Sequence, residues 1–253
     1  MKIKHFTLGL GLLIILNLVS CQKYEDLTPV PGDAKVKRIL LYFSLDSDSP
    51  TSIVKEFEYD ENGKISRTSS PMYQDGKIIG TISYDLYYYN ISGQLIKKEN
   101  FNANLNSPTG FLDLINHNYS YSEDGKLIKE TIEYPQGSLS ESILIEYKHD
   151  QQSIIKYFNN RNQLETYVSN QYDKSDRLIK ETRYAWDDRI ISTTIHSYQG
   201  LLLLKSDVFQ GDTHMREIKR TYDSNNNLLI LESKELVGYS SALSYFHKYE
   251  YLD

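Results

Sequence analysis

The stretch Tyr59-Asp60-Glu61-Asn62-Gly63-Lys64-Ile65 holds the pattern that decides the fold. An Asp side chain can accept hydrogen bonds from the backbone of a following turn, and a glycine can take the positive φ that closes it. The preceding residues alternate, with Phe57 and Tyr59 on one face of a strand and Glu56 and Glu58 on the other. The stretch therefore predicts the tip of a β-hairpin.

The same pattern recurs along the chain, clearly in some copies and eroded in others. The repeat tyrosines are Tyr59, Tyr89, Tyr121, Tyr147, Tyr172, Tyr198, Tyr222 and Tyr251. Their successive spacings are 30, 32, 26, 25, 26, 24 and 29 residues. A loose but sustained period of this length indicates one structural unit per repeat, here one hairpin.

Two strands per repeat give about 14 to 16 antiparallel strands, more than the roughly ten at which a twisted open sheet curls, splits or closes. We therefore expect an all-β antiparallel meander that is curled into a barrel-like or spiral sheet. A β-sandwich is the alternative. No helical segment is predicted.

The repeat unit resembles the YD repeat of the RHS family, whose motif joins a Tyr-Asp turn, a glycine and a following strand of alternating apolar and polar residues. The resemblance covers most of residues 40 to 253 and implies the β-hairpin architecture. RHS proteins that deliver toxins carry a separate C-terminal effector domain, whereas this sequence ends within a repeat. We therefore expect no toxin activity.

The N-terminus resembles an export signal with a lipid attachment site. Two lysines precede an apolar run from Phe6 to Leu18 that is too short to span a bilayer comfortably. The run ends at Leu18-Val19-Ser20-Cys21, which resembles the lipobox of bacterial lipoproteins, where the cysteine sulfur takes a diacylglyceryl group before cleavage. The resemblance implies a signal peptide over residues 1–20 and a membrane lipid on Cys21, the only cysteine of the chain.

The residues after this cysteine, Gln22-Lys23-Tyr24-Glu25-Asp26, resemble the short acidic export signal of Bacteroidetes lipoproteins that reach the cell surface. We therefore expect a protein that is lipid-anchored in the outer membrane and faces the cell exterior. In the alternative interpretation, Glu25 and Asp26 are simply part of a solvated tether.

Composition and charge divide the chain and limit its partners. Residues 21–34 contain prolines and a glycine with little apolar periodicity, which predicts a lipidated N-terminus and irregular tether. Residues 35–253 carry the repeats and form one predicted β domain. The net charge of −6, with no clustered basic patch, argues against nucleic acid as a partner.

Tyrosine is the most informative residue type, with 22 copies. We interpret most of them as structural, because cross-strand aromatic pairs stabilise sheets. Five aromatic residues lie off the repeat frame and are the candidates for a ligand-binding face: Tyr84, Tyr87, Tyr88, Trp186 and Tyr239. Their flat, amphipathic rings suit a sugar or a peptide.

No motif of a catalytic or cofactor site occurs in the sequence. The histidines fit no zinc spacing, and no G-x-S-x-G, P-loop or G-x-G-x-x-G is present. Asp223, Asn225 and Asn227 match half of a calcium loop, but Leu228 replaces its glycine, so we interpret the segment as a turn. We expect no metal, no cofactor and no enzymatic activity.

These observations leave three hypotheses about function. The first is a non-catalytic binding module for an extracellular glycan or surface protein. The second is a structural or assembly component of an outer-membrane complex. The third is a glycoside hydrolase, because the spacing of a catalytic carboxylate pair depends on the fold and is invisible in the sequence.

Overall fold

The computed structural model describes residues 34–103, 110–134, 140–148, 151–237 and 244–252. For residues 111–114 it describes the backbone alone. The predicted signal peptide, Cys21, nearly all of the tether and Tyr239 lie outside the described residues.

The described chain forms sixteen strands. The first eight are β1 (Val36–Tyr42), β2 (Ser52–Tyr59), β3 (Ile65–Gln74), β4 (Lys77–Tyr89), β5 (Leu95–Ala103), β6 (Phe111–Tyr121), β7 (Leu127–Glu133) and β8 (Ser140–Lys148). The second eight are β9 (Gln152–Phe158), β10 (Leu164–Tyr172), β11 (Leu178–Ala185), β12 (Ile190–Gln199), β13 (Leu202–Gln210), β14 (Thr213–Tyr222), β15 (Leu228–Glu235) and β16 (Ser244–Tyr251).

Each strand pairs antiparallel with the next, and β1 also pairs with β16, so that the meander closes into a barrel. This confirms the predicted all-β antiparallel meander, and the β-sandwich alternative is wrong because one continuous sheet closes on itself. Closure gives each described strand a hydrogen-bonded neighbour on both sides over at least part of its length. Within the described ranges there is no helix long and apolar enough to cross a membrane.

The turn that follows β2 shows why the repeat motif folds as it does. Asp60 Oδ1 accepts hydrogen bonds from the backbone N–H of Asn62 at 2.9 Å and of Lys64 at 2.8 Å. Gly63 takes a φ of 75°, and its N–H donates to the Asp60 carbonyl at 3.0 Å. Asp223 makes the same pair of contacts in the turn before β15. These segments are the predicted hairpin tips.

The barrel has two different ends. At the end that we call the tyrosine rim, even-numbered strands end and odd-numbered strands begin, so it carries the repeat turns together with Lys35 and Leu252. At the opposite end, which we call the distal rim, odd-numbered strands connect to even-numbered strands. The turns at residues 159–163 and 186–189 lie there.

The repeat tyrosines tie neighbouring strands together at the tyrosine rim. The Tyr59 hydroxyl donates to the Val36 carbonyl at 2.8 Å, and the Tyr121 hydroxyl donates to the Leu95 carbonyl at 2.7 Å. Equivalent bonds are made by Tyr89, Tyr198, Tyr222 and Tyr251. These tyrosines therefore bind the start of the preceding strand through their hydroxyls, whereas we had expected ring-to-ring pairs.

Burial and cation contacts hold the tyrosine rings in place. Burial raises the pKa of Tyr59 to about 12, so its hydroxyl keeps the donated proton at neutral pH. The Lys35 ammonium lies 5.3 Å from the Tyr59 ring centroid, and Lys64 lies 5.1 Å from that of Tyr89. Each of these lysines directly precedes an odd-numbered strand and contacts the tyrosine at the end of the following even-numbered strand. The cation–π contacts therefore join neighbouring strands at the tyrosine rim.

The buried side chains share one face of the sheet, which is the inner face of the barrel. A layer of eight cross-strand pairs lies there, and each pair contains the residue two places before a repeat tyrosine. The pairs are Phe57–Thr68, Tyr87–Lys98, Tyr119–Glu130, Ile145–Ile155, Asn170–Glu181, His196–Ser206, Arg220–Leu231 and Tyr249–Ile39. The last pair closes the barrel in the same register as the others.

The outer face carries ion pairs between neighbouring strands. Lys205 Nζ lies 2.8 Å and Lys219 Nζ 2.7 Å from oxygens of Glu217. Hydrogen bonds from these two lysines lower the pKa of Glu217 to about 2. Arg67 and Glu58 form a similar pair at 3.3 Å between β3 and β2. The alternation of apolar and charged residues along the strands therefore separates the inside of the barrel from its outside.

Candidate binding site at the distal rim

Trp186 lies in the turn between β11 and β12, with its side chain directed away from the core. The residue is 70% exposed. Its backbone N–H donates to the Glu165 carbonyl at 3.0 Å, which fixes the turn against β10. Asp188 completes the turn at a φ of 66°, and its N–H donates to the Ala185 carbonyl. A large ring is thus held in solvent by an ordered backbone.

A pocket of about 520 Å³ opens beside this ring. It is lined by Asn159, Gln163, Leu164, Glu165 and Trp186, which come from the two adjacent hairpins of the distal rim. Its volume is within the range of small-molecule sites, and its lining combines an aromatic ring with a few polar groups. This is the composition expected of a binding site for an amphipathic ligand.

The polar groups of the pocket differ in whether they already have hydrogen-bond partners within the protein. Asn159 Oδ1 accepts the backbone N–H groups of Arg161 and Gln163, so it serves its own turn. The Asn159 amide nitrogen lies 3.3 Å from Gln163 Oε1. In the described part of the chain, the Gln163 amide nitrogen and the Glu165 carboxylate engage no hydrogen-bond or ion-pair partner. They are the groups left for a ligand.

Two stacked tyrosines extend the aromatic surface along the barrel wall. Tyr167 and Tyr184 face each other across β10 and β11 with ring centroids 4.6 Å apart and an interplanar angle of 10°. The Tyr167 hydroxyl donates to Asp188 Oδ1 at 2.8 Å, and this bond is the main reason that the pKa of Tyr167 rises to about 12. The stack and the tryptophan together form an aromatic surface on neighbouring strands.

The other predicted ligand-binding residues are not brought to this place. Tyr84 and Tyr88 lie on the outer face of β4, where Tyr84 stacks on Phe101 at 4.7 Å and Tyr88 donates to Glu99 at 2.6 Å. Tyr87 alternates with them and points into the barrel. Since β4 and β11 are separated by six strands along the meander, the structure separates these tyrosines from the tryptophan.

Sequence reasoning missed four residues around Trp186, namely Gln163, Glu165, Tyr167 and Tyr184. The alternation of Tyr184 with Trp186 is visible in the sequence and places both on one side of the chain. The other three residues come from the preceding hairpin. Their proximity depends on the strand register, which the sequence pattern does not specify.

Several polar side chains inside the barrel are bound to one another. His117 Nδ1 lies 2.5 Å from Glu130 Oε1, and Asp85 accepts hydrogen bonds from Asn100 at 2.7 Å and from Thr68 at 3.1 Å. Among the residues that the structure describes, no group of three or more His, Cys, Asp or Glu side chains could hold a metal ion. The distal pocket therefore remains the better candidate site.

No protein-family model and no curated protein sequence matches the chain.

Three solved structures of bacterial proteins match part of the chain with low scores. A porin-like protein from Bacteroides uniformis is 9% identical, with a TM-score of 0.35, and the match covers 88% of this chain and 99% of that one. A Bacteroides fragilis protein of unknown function is 13% identical, with a TM-score of 0.32, over 49% and 91% of the two chains. The Photorhabdus luminescens Tc holotoxin pore is 9% identical, with a TM-score of 0.18, over 74% of this chain and 12% of that one. Scores this low carry no inference about function.

Proposed function

We propose that this protein is a lipid-anchored outer-membrane lipoprotein that binds an extracellular glycan, without catalysing its breakdown, in the pocket beside Trp186. The observation that carries the proposal is the 70% exposed indole next to a pocket with an unengaged amide and carboxylate. A sugar ring offers an apolar C–H face that packs on an aromatic ring and hydroxyl groups that bond to amides and carboxylates.

The position of the tether on the barrel supports this proposal, because it indicates which rim faces the membrane. A lipid on Cys21 would be joined to Lys35 by residues 22–34, which reach at most about 45 Å when fully extended. Lys35 lies at the tyrosine rim. Because the tether joins the barrel at that rim, we propose that the tyrosine rim faces the membrane and that the distal rim, with Trp186, faces outwards.

The outer face of the barrel supports attachment through the lipid. Ion pairs such as Lys205–Glu217 and Lys97–Glu99 lie on strand segments between the rims. A barrel embedded in a bilayer presents an apolar band to the lipid, and charges there are destabilising by about 2–4 kcal/mol at the midplane. We therefore propose that the barrel stands in water next to the membrane.

Calorimetric titration of the full chain, solubilised in detergent, against a panel of polysaccharides and oligosaccharides tests the binding function. We expect one glycan class to bind, and Trp186→Ala to weaken that binding by at least about tenfold. Leu201→Ala is the matched control, because Leu201 is 69% exposed in a turn at the tyrosine rim. Equal affinity of the Trp186→Ala variant and the native protein would refute the proposed site.

Protease treatment of intact cells tests the proposed location. A protein anchored on the exterior is degraded by added protease, and Cys21→Ser releases it from the membrane fraction. Full protection of the native protein in intact cells would contradict surface exposure. Retention of the Cys21→Ser variant in the membrane would contradict the lipid anchor.

One observation favours protein docking as a second candidate function. The hairpin of β3 and β4 extends beyond its paired neighbours, since the β2 pairing ends at Ser69 and the β5 pairing ends at Ser83. Met72, Ile79 and Ile82 are exposed on this extension. An exposed apolar group of this kind marks a protein contact in many proteins. Crosslinking in the native membrane, with Ile79→Lys as the disrupting variant, distinguishes this function from glycan binding.

A further inference from the structure

We propose that the distal pocket selects a positively charged sugar, that is, a glycan whose units carry a free amino group. This inference rests on the proposed function and names its ligand class. It follows from the side chains that the pocket combines, an exposed indole and a carboxylate without a cationic partner.

Glu165 supplies the charge that selects the ligand. Its side chain is exposed and lines the pocket, and its backbone carbonyl accepts the N–H of Trp186 at 3.0 Å, so the backbones that carry the carboxylate and the indole are held side by side. In the described ranges no Lys, Arg or His lies within 4 Å of the Glu165 carboxylate. An ammonium group of the ligand would make a charge-assisted hydrogen bond there.

The indole of Trp186 favours the same ligand. An ammonium group near an aromatic face is attracted by the ring quadrupole, and tryptophan gives the strongest attraction among the aromatic residues. The ring can also pack against the apolar face of the sugar. One side chain thus serves both the sugar ring and its cationic substituent, whereas a sugar with a carboxylate would be repelled by Glu165.

The neighbouring charges leave the site acidic. Arg189, the cation of the Trp186 turn, lies 4.0 Å from Asp187 and is paired with it. Asp188 accepts a hydrogen bond from the Tyr167 hydroxyl. Arg161 lies in the turn between Asn159 and Gln163 but is not among the residues that line the pocket. The net charge of −6 for the whole chain also favours the approach of a cationic ligand.

The experiment compares two oligosaccharides with the same backbone but different charge. Oligomers of glucosamine carry free ammonium groups, and oligomers of N-acetylglucosamine of the same length are neutral. Each is titrated calorimetrically into the full chain in detergent at low and at high salt. The variants are Glu165→Gln, which removes the selecting charge, and Glu61→Gln, a matched control in an exposed turn at the tyrosine rim.

We expect the glucosamine oligomer to bind about tenfold more tightly than the neutral one, and Glu165→Gln to abolish this difference while leaving the neutral oligomer unaffected. High salt should weaken only the charged oligomer. Equal binding of the two oligomers to the native protein, or an unchanged preference in Glu165→Gln, overturns the charge selection while the glycan site stands. A lysine peptide that binds as tightly as the glucosamine oligomer overturns the assignment to a sugar.

Failure of the proposed function gives a different result. In that case neither these oligomers nor any other glycan of the panel binds, and Trp186→Ala changes nothing.

Discussion

The backbone N–H of Leu252 donates a hydrogen bond of 2.8 Å to the carbonyl of Lys35, which joins the last strand to the first. Further along the same pair of strands, Ile39 of β1 pairs with Tyr249 of β16 in the register that the other repeats use between consecutive strands. The first strand therefore completes the hairpin unit that the last strand begins. The barrel is closed by the same contacts that link its repeats.

The closing seam is expected to be as firmly packed as the rest of the barrel. Ile39 is fully buried at the seam, and Ile155 is buried in the equivalent layer between β8 and β9. We expect Ile39→Ala and Ile155→Ala each to lower the free energy of unfolding by about 2–5 kcal/mol, as measured by urea denaturation. A large loss for Ile155→Ala with almost none for Ile39→Ala would show that the seam is open in solution.

The tyrosine hydroxyls are expected to stabilise the barrel through their bonds to backbone carbonyls. Tyr121→Phe removes the bond to the buried end of β5 and should lower the free energy of unfolding by about 1 kcal/mol. Tyr147→Phe is the matched control, because the Tyr147 hydroxyl has no hydrogen-bond partner among the described residues. Urea denaturation of the two variants checks this, and equal losses would contradict the carbonyl bonds as the source of stability.

Substitutions at a turn position that holds glycine and at the equivalent position that holds another residue are expected to change stability in opposite directions. Gly125 has a φ of 81°, so Gly125→Ala forces a side chain into the left-handed region and should cost about 1–2 kcal/mol. Asp176 occupies the same turn position at a φ of 58° with a side chain already present. Asp176→Gly relieves this strain and should leave stability unchanged or raise it. Thermal unfolding of both variants is the measurement, and a loss in both would show that backbone conformation does not control these turns.

Stability is expected to fall below pH 6.5 because of buried histidines. Burial lowers the pKa of His247 to about 4, and burial together with Arg220 does the same for His196. The unfolded chain takes up protons below about pH 6.5 while the folded histidines remain neutral. Each histidine therefore removes up to about 3 kcal/mol between pH 6.5 and pH 4.

Protonation of Glu181 offsets part of this loss of stability at low pH. Burial raises its pKa, so the folded protein binds a proton there before the unfolded chain does. Urea denaturation of native protein and His247→Gln from pH 7 to pH 4 isolates the histidine contribution. The variant should lose less stability than the native protein over this window, and parallel profiles would show that His247 does not contribute.

The fold could be predicted from the sequence because the motif that specifies each hairpin is short and recurs along the chain. Tyr59, Asp60 and Gly63 specify a hairpin tip, and seven further repeat tyrosines at similar spacing specify a meander of such hairpins. Closure of the sheet into a barrel was harder to predict, since it depends on the curvature of the whole sheet. The role of the tyrosine hydroxyls was also hidden, because each acceptor carbonyl lies roughly one repeat earlier in the chain, as Val36 does for Tyr59.

The site could be predicted only in part. Trp186 stands out because it is the single tryptophan and lies off the repeat frame, but Glu165 and Gln163 have no distinguishing feature in the sequence. They reach the tryptophan through the pairing of β10 with β11. Tyr84 and Tyr88 share this aromatic character in the sequence, but the structure places them on another part of the barrel wall.

The most direct test of the account uses the single tryptophan of the chain as its own reporter. Fluorescence excited selectively in Trp186 is followed while the full chain is titrated with the glycan panel, the glucosamine oligomers included. The account predicts a saturable change in intensity and wavelength with one glycan class, because a ligand that packs on the exposed ring removes water from it. An unchanged spectrum with every glycan, including any that calorimetry shows to bind, would contradict the assignment of the binding site to the distal rim.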